Sequence, residues 1–169
     1  MHSTYVNWNG KVKLTWIPSS VLPERKLITS VHGFCFYENE LLMVDLYDRG
    51  WDYPGGHIES GETPEECFKR EAMEEGYVEG DCHLLGYVEV NHQENMNWNE
   101  DSPYPQIGFQ VFYRMDIQKL HPFEGKFESL KRIFISPCKA SEYYEGWNVV
   151  HEQILQEAKR GLVINEYQD

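Results

Sequence analysis

The chain reads as one domain of the α+β or α/β class, with strands in the majority. Three observations predict this. Runs rich in β-branched and aromatic residues recur along most of the chain. Two segments carry helix signals, one near the middle and one near the end. The 169 residues, 41% hydrophobic and 14% aromatic, suffice for a single domain spanning residues 1–169 with one real core.

Taken in order, residues 11–17 alternate in polarity and are expected to form a strand, and 18–23 form a connector between two prolines. Residues 27–37 are β-branched and aromatic, and 41–47 are mostly apolar. Glu38-Asn39-Glu40 between them suggests a hairpin. Three glycines make 48–61 a loop. A helix is expected over 64–75. Thr63 is an N-cap, Pro64 fits the first helical position, and Glu66 completes a capping box. Residues 67–75 hold no Gly, Pro or β-branched residue, and Gly76 is the expected stop. Strands follow at 82–91, 107–117 and 132–135. The polar segment 92–106 is long for a hairpin, which suits a cover over a site. A final helix is expected over 148–160, with Val150, Ile154 and Ala158 on one face and Gly161 as its stop.

Composition excludes some functions. The net charge of −13 argues against nucleic acid as a general partner, because polyanion binding needs clustered Lys and Arg. A small phosphorylated substrate stays open, since metal ions bridge acidic residues to phosphates. No stretch of 18 apolar residues predicts a membrane span, and residues 1–10 hold no signal-peptide core. Cys35, Cys67, Cys82 and Cys138 are scattered without zinc spacing, so reduced thiols and a cytoplasmic location are expected. Oligomeric state is not legible, although the aromatic-rich ends are candidates for pairing two subunits as a homodimer.

The most informative stretch is 55–75. Glu71, Glu74 and Glu75 stand at i, i+3 and i+4, so a helix puts all three carboxylates on one face. Like charges that close repel, and a bound divalent cation relieves the conflict, because hard cations such as Mg²⁺ take oxygen ligands. The loop before it contains Gly55-Gly56, whose backbone is open to a metal or a phosphate. Arg70 lies four residues from both Glu66 and Glu74 and can pair with either.

This stretch resembles the Nudix signature of MutT-like hydrolases over residues 56–78. Gly56, Glu62, Arg70, Glu71, Glu74 and Glu75 match six of its seven fixed letters at the right spacing. Tyr77 stands where the signature has its last glycine, with Gly76 one residue earlier, so the helix is expected to end one residue sooner. The resemblance implies an α/β fold, an α/β/α sandwich with a mixed β-sheet. It also implies hydrolysis of the pyrophosphate linkage of a nucleoside diphosphate derivative, with a nucleoside triphosphate as substrate. The alternatives are a nucleotide-sensing module without turnover and a hydrolase of RNA 5′ ends.

By the same resemblance, Glu71, Glu74, Glu75 and the Gly56 carbonyl hold Mg²⁺ or Mn²⁺. Arg70 orients Glu71 or Glu74, and Glu62 holds the loop against the helix. The base that activates water is Glu71 or a downstream carboxylate, for which Glu94, Glu124 and Glu128 are candidates. Trp51, Tyr53, Trp98 and Tyr104 could stack on a base, and Arg49 or Arg25 could clamp a phosphate. No proline follows Val78 before Pro103, where ADP-ribose-preferring members tend to carry one. That points away from ADP-ribose.

Overall fold

The computed structural model describes residues 2–160 and 162. Among these, nine strands join in one sheet: β1 (His2–Asn7), β2 (Lys11–Pro18), β3 (Ile28–Tyr37), β4 (Glu40–Leu46), β5 (Gly50–Asp52), β6 (Gly55–His57), β7 (Val78–Asn91), β8 (Ile107–Leu120) and β9 (Ser129–Ile135). The main path runs β1-β2-β7-β8-β3-β4-β5, with β6 on β3 and β9 on β4. The β3–β8 pair is parallel and the others are antiparallel, so the sheet is mixed.

Helix α1 (Pro64–Glu71) packs on one face of the sheet, and α2 (Ala140–Tyr143) and α3 (Val149–Lys159) on the other. The alternation of strand side chains builds both layers. In β3, Val31 and Cys35 join Phe68 and Ala72 on the α1 side, while Phe34 and Phe36 join Val150, Ile154 and Ala158 on the α3 side. Phe68 stacks on Tyr113 of β8 with centroids 5.8 Å apart, which anchors α1 on the sheet. Truncating such a ring to alanine costs about 3–5 kcal/mol. This is the expected sandwich.

The predicted 38–40 hairpin turns through positive φ at Glu38 (50°) and Asn39 (66°), the twist that suits right-handed strands. Asn148 caps α3, its side-chain oxygen accepting from the Val150 and His151 amides at 2.9 and 3.3 Å. Gly161, the expected stop, lies outside the described residues.

Several boundaries differ from expectation. β7 begins at Val78 rather than 82, because bulges at 79/80 and 84/86 break its alternation while it still pairs with β8 from end to end. β9 begins at Ser129 rather than 132, past a register shift against β4. β1 is an edge strand with mostly exposed side chains, so its residues read as merely polar. The predicted loop 48–61 contains β5 and β6, three residues each, too short to show a period. No described helix is long and apolar enough to cross a membrane.

Candidate active site

The glycine loop and the acidic turn meet at the edge of β3. β6 pairs with β3 so that Gly56 faces Val31 and Gly55 faces His32. The capping box at Thr63 is complete, with the Thr63 hydroxyl accepting from the Glu66 amide and the Glu66 carboxylate from the Thr63 amide. From there α1 runs under β6 and carries the carboxylates to it. A side chain on Gly56 would stand 2.6 Å from Oε1 of Glu71, and one on Gly55 would run into His32. Both positions need glycine because the acidic turn and β3 approach the bare backbone.

The expected single helix over 64–75 is corrected. α1 ends at Glu71, and Ala72–Gly76 form a wider π-helical turn. Gly76 is not the stop. A side chain there would meet Leu42 at 2.6 Å, so Gly76 serves close packing on β4. The left-handed cap falls on Tyr77, at φ 57°, whose amide donates to the Met73 carbonyl at 3.0 Å. The end of the turn therefore comes where the signature has its glycine, not one residue sooner. The strain of a left-handed tyrosine is offset by packing. Its ring lies 4.9 Å from Phe123, and its hydroxyl accepts from the Lys126 amide at 2.8 Å. β9 satisfies the terminal carbonyls. The Ser129 hydroxyl donates to Glu75 at 2.7 Å, and Arg132 donates to Gly76 and Tyr77 at 2.9 and 3.1 Å.

Arg70 is the hub of the charges. Its guanidinium donates to Glu62 at 2.6 and 3.0 Å, to Glu71 at 2.7 Å, to Glu74 at 3.4 Å and to the His57 carbonyl at 3.2 Å. It thus ties the loop to the turn and neutralises part of the acidic face. Hydrogen bonding to Arg70 holds Glu62 well below the usual carboxylate range. Glu74 is raised by burial and by the neighbouring Glu71 charge.

Glu75 is 2% exposed and turned inward. Its Oε1 accepts from the Gly55 amide at 3.2 Å, while its buried Oε2 has no partner. Burial raises its pKa strongly, and the Gly55 amide opposes that rise. Among the described residues, no group of three or more His, Cys, Asp or Glu side chains stands arranged around a common metal position. The chemistry of the donor set nevertheless fits a hard cation: an orphaned buried carboxylate oxygen, two more carboxylates on the same turn, and the bare Gly56 backbone against Glu71.

Beside this cluster a cleft runs over the α3 side of the sheet. It has two lobes, of about 300 and 160 Å³, which share Trp8 and Gln110 in their walls. His57 and Tyr104 line the larger lobe. Arg49, Asp52, Tyr53 and His151 line the smaller. The segment 92–106 contributes His92, Tyr104 and Pro105 to the lining of the larger lobe.

The candidate residues fall in different places. Arg49 lines the smaller lobe, 3.6 Å from Asp48. Trp51 packs edge-on against Tyr143 at 5.6 Å and under the Lys131 ammonium. Tyr53 is buried in the core, its hydroxyl 2.9 Å from Nε2 of His151. Trp98 donates to the Tyr104 carbonyl at 3.0 Å. Arg25 is exposed in a 3₁₀ turn before β3 and lines neither lobe. Glu94 accepts from Tyr5 at 2.8 Å and pairs with Lys11 at 3.5 Å. Glu124 pairs with Lys126 at 2.8 Å, and Glu128 accepts the Tyr47 amide through its backbone at 2.8 Å.

Reading the sequence missed Asp52, His32 and His151. Burial lifts Asp52 to about 6, against the pull of the Tyr53 amide and Arg49. Burial lowers His32 to about 3, with Arg49 adding to it, and His151 to about 4. No motif marks these residues. Only the adjacency of Asp52 to Trp51 and Tyr53 offered a hint.

Comparison with known proteins follows the same lines. A family model described as NUDIX domain matches residues 27–156. No curated protein sequence matches the chain. Among solved structures, the chain is similar to the Bacillus subtilis pyrophosphohydrolase BsRppH, in a point-variant form. The TM-score is 0.70 at 20% identity, over 94% of this chain and 96% of that one. An ADP-ribose pyrophosphatase from Streptococcus suis gives a TM-score of 0.54 at 20% identity, over 78% and 90%. A MutT NUDIX hydrolase from Burkholderia pseudomallei gives 0.54 at 12%, over 76% and 95%. At such identities the likeness is one of fold. With the family match over most of the chain and Glu71 of the signature set against Gly56, the chain belongs to the Nudix hydrolase family.

Proposed function

We propose that this hydrolase cleaves the pyrophosphate linkage of a nucleoside diphosphate derivative, with a nucleoside triphosphate as substrate and Mg²⁺ or Mn²⁺ as cofactor. The observation that carries the reading is the approach of Glu71 and Glu75 to the Gly55-Gly56 backbone, beside a cleft of nucleotide size. Glu71, Glu74, Glu75 and the Gly56 carbonyl would hold the metal. When bound, it supplies charge neutralisation on the phosphates and a bound water of lowered pKa.

The chain's own residues do the rest. Arg70 fixes the Glu71 and Glu74 carboxylates and so spares the site a reorganisation at the moment of reaction. Arg49, in the lining of the smaller lobe, has the charge to pair with a phosphate oxygen. Glu94 and Glu124 are already engaged by Tyr5, Lys11 and Lys126, so the reading gives proton acceptance to the helix carboxylates, Glu71 foremost. Four free cysteines, Cys138 exposed among them, suit a reducing cytoplasm.

The test is a metal-dependent assay against nucleoside triphosphates, dinucleotides, nucleotide sugars and a 5′-triphosphorylated oligomer. Turnover of a nucleoside triphosphate that vanishes in Glu74→Ala/Glu75→Ala, with the fold intact, is the expected result. Turnover of the oligomer alone would move the substrate to RNA 5′ ends. Full activity in the double variant would remove these carboxylates from the mechanism.

A further inference from the structure

The family match begins at residue 27, yet a residue well before it helps to build the cleft. Trp8 sits at the tip of the β1–β2 hairpin and lines both lobes. It is 44% exposed, and among the described residues no aromatic ring packs against it. A large aromatic side chain held over a cavity without a ring partner exposes apolar surface that a ligand would cover.

The hairpin tip does not hang free. Its turn is closed by the Trp8 amide donating to the Gly10 carbonyl at 3.0 Å and the Gly10 amide to the Asn7 side chain at 3.1 Å. It is latched to the segment between β7 and β8 at three points. Asn97 donates to the Asn9 carbonyl at 3.1 Å, Tyr5 donates to Glu94 at 2.8 Å, and Lys11 pairs with Glu94 at 3.5 Å. The same segment carries Tyr104 into the lining of the larger lobe. Tyr104 lies nearly parallel to His57, with centroids 6.4 Å apart and planes at 24°. In the cleft wall Gln110 presents a side-chain amide that makes no hydrogen bond to any described residue. An amide offers a donor and an acceptor together, the pattern that reads a base edge.

We propose that the larger lobe is a nucleobase site completed by the N-terminal hairpin. Trp8 and Tyr104 supply the stacking surfaces, and Gln110 is the residue that discriminates among bases. This rests on the nucleotide reading above and narrows it to a base recognised through residues outside the signature. Because His57 follows Gly56 directly, a base in this lobe leaves its phosphates beside the carboxylate cluster.

The test needs no turnover. AMP, GMP, CMP and UMP are titrated calorimetrically, in EDTA, into the full chain and its variants, with inorganic phosphate as the control. The wild type is expected to bind at least one nucleotide saturably, and phosphate alone should not displace it. Trp8→Ala should weaken that binding by about five- to a hundredfold, the range for losing one base–aromatic stack, and Trp8→Phe should recover most of it. Gln110→Leu should level the affinities of the four nucleotides. Melting curves of each variant separate lost binding from lost folding. Unchanged affinity in folded Trp8→Ala, or no binding of any of the four by the wild type, overturns the proposal. Hydrolysis with Mg²⁺ is scored separately. Turnover with no effect of Trp8 sinks this proposal and leaves the hydrolase reading standing, while Trp8-dependent binding without turnover does the reverse.

Discussion

Gly56 and Glu71 stand so close that a single methyl group on the glycine would come within 2.6 Å of the glutamate's Oε1. Arg70 holds the same carboxylate at 2.7 Å, so moving it aside loosens an ion pair of the cluster. The glycine is thus a spacing requirement of the acidic cluster, and its backbone conformation is secondary.

Gly56→Ala is therefore expected to displace the Glu71 carboxylate, the far end of a flexible chain, more than it disturbs the fold. Unfolding free energy should change by less than about 1.5 kcal/mol, while kcat/KM falls at least about tenfold. Denaturant melts and steady-state kinetics on the same preparation check both. A variant of normal activity would show that Glu71 tolerates the shift and lies outside the reacting geometry.

The carboxylates repel one another unless something neutralises them, and Arg70 does so only in part. Adding Mg²⁺ should raise Tm. At a hundredfold excess over its Kd, a ligand that binds only the folded state adds about 2.7 kcal/mol, or roughly 5–10 °C for a chain of this size. Glu74→Gln/Glu75→Gln should melt no lower than the wild type without metal, because it removes the repulsion between Glu74 and its neighbouring carboxylates. It should also lose the Mg²⁺ shift. A shift of equal size in the double variant would place the cation elsewhere.

Tyr77 offers a test of strain against packing. Restoring the signature glycine relieves a left-handed residue, worth about 1 kcal/mol. It also removes a ring that is 3% exposed and set edge-to-face against Phe123, together with the acceptor of the Lys126 amide. Loss of a buried aromatic costs about 3–5 kcal/mol, so Tyr77→Gly is expected to lower stability by about 2–4 kcal/mol. A variant as stable as the wild type would mean that the surrounding segment re-packs without cost.

His151 sets a pH dependence. Burial lowers its folded pKa to about 4 from 6.5, so protonation is harder in the folded state. The stability it contributes is complete above pH 6.5 and is lost as pH falls through about 4, amounting to about 3 kcal/mol. His32, lowered to about 3, works in the same direction. The wild type should weaken steadily from pH 6.5 to 4, and His151→Leu should show a shallower fall over that range. Parallel curves for the two proteins would mean that His151 does not carry the effect.

The capped helix and its acidic spacing were legible in a short local stretch. The capping box, the proline and the run without helix breakers specify α1, and the spacing of Glu71, Glu74 and Glu75 follows from it, because these are near-neighbour interactions. The mixed sandwich was legible in part from the alternation that divides each strand between the two core layers. The tertiary structure alone decided the rest. The helix widens into a π turn that sets Gly76 against Leu42 of β4, a contact between segments far apart in sequence. The cleft joins Trp8, Gln110 and His151, residues from opposite ends of the chain, and no local pattern encodes their meeting. The pKa shifts of Asp52, His32 and His151 arise from burial, which exists only once the sheet and α3 have closed around them.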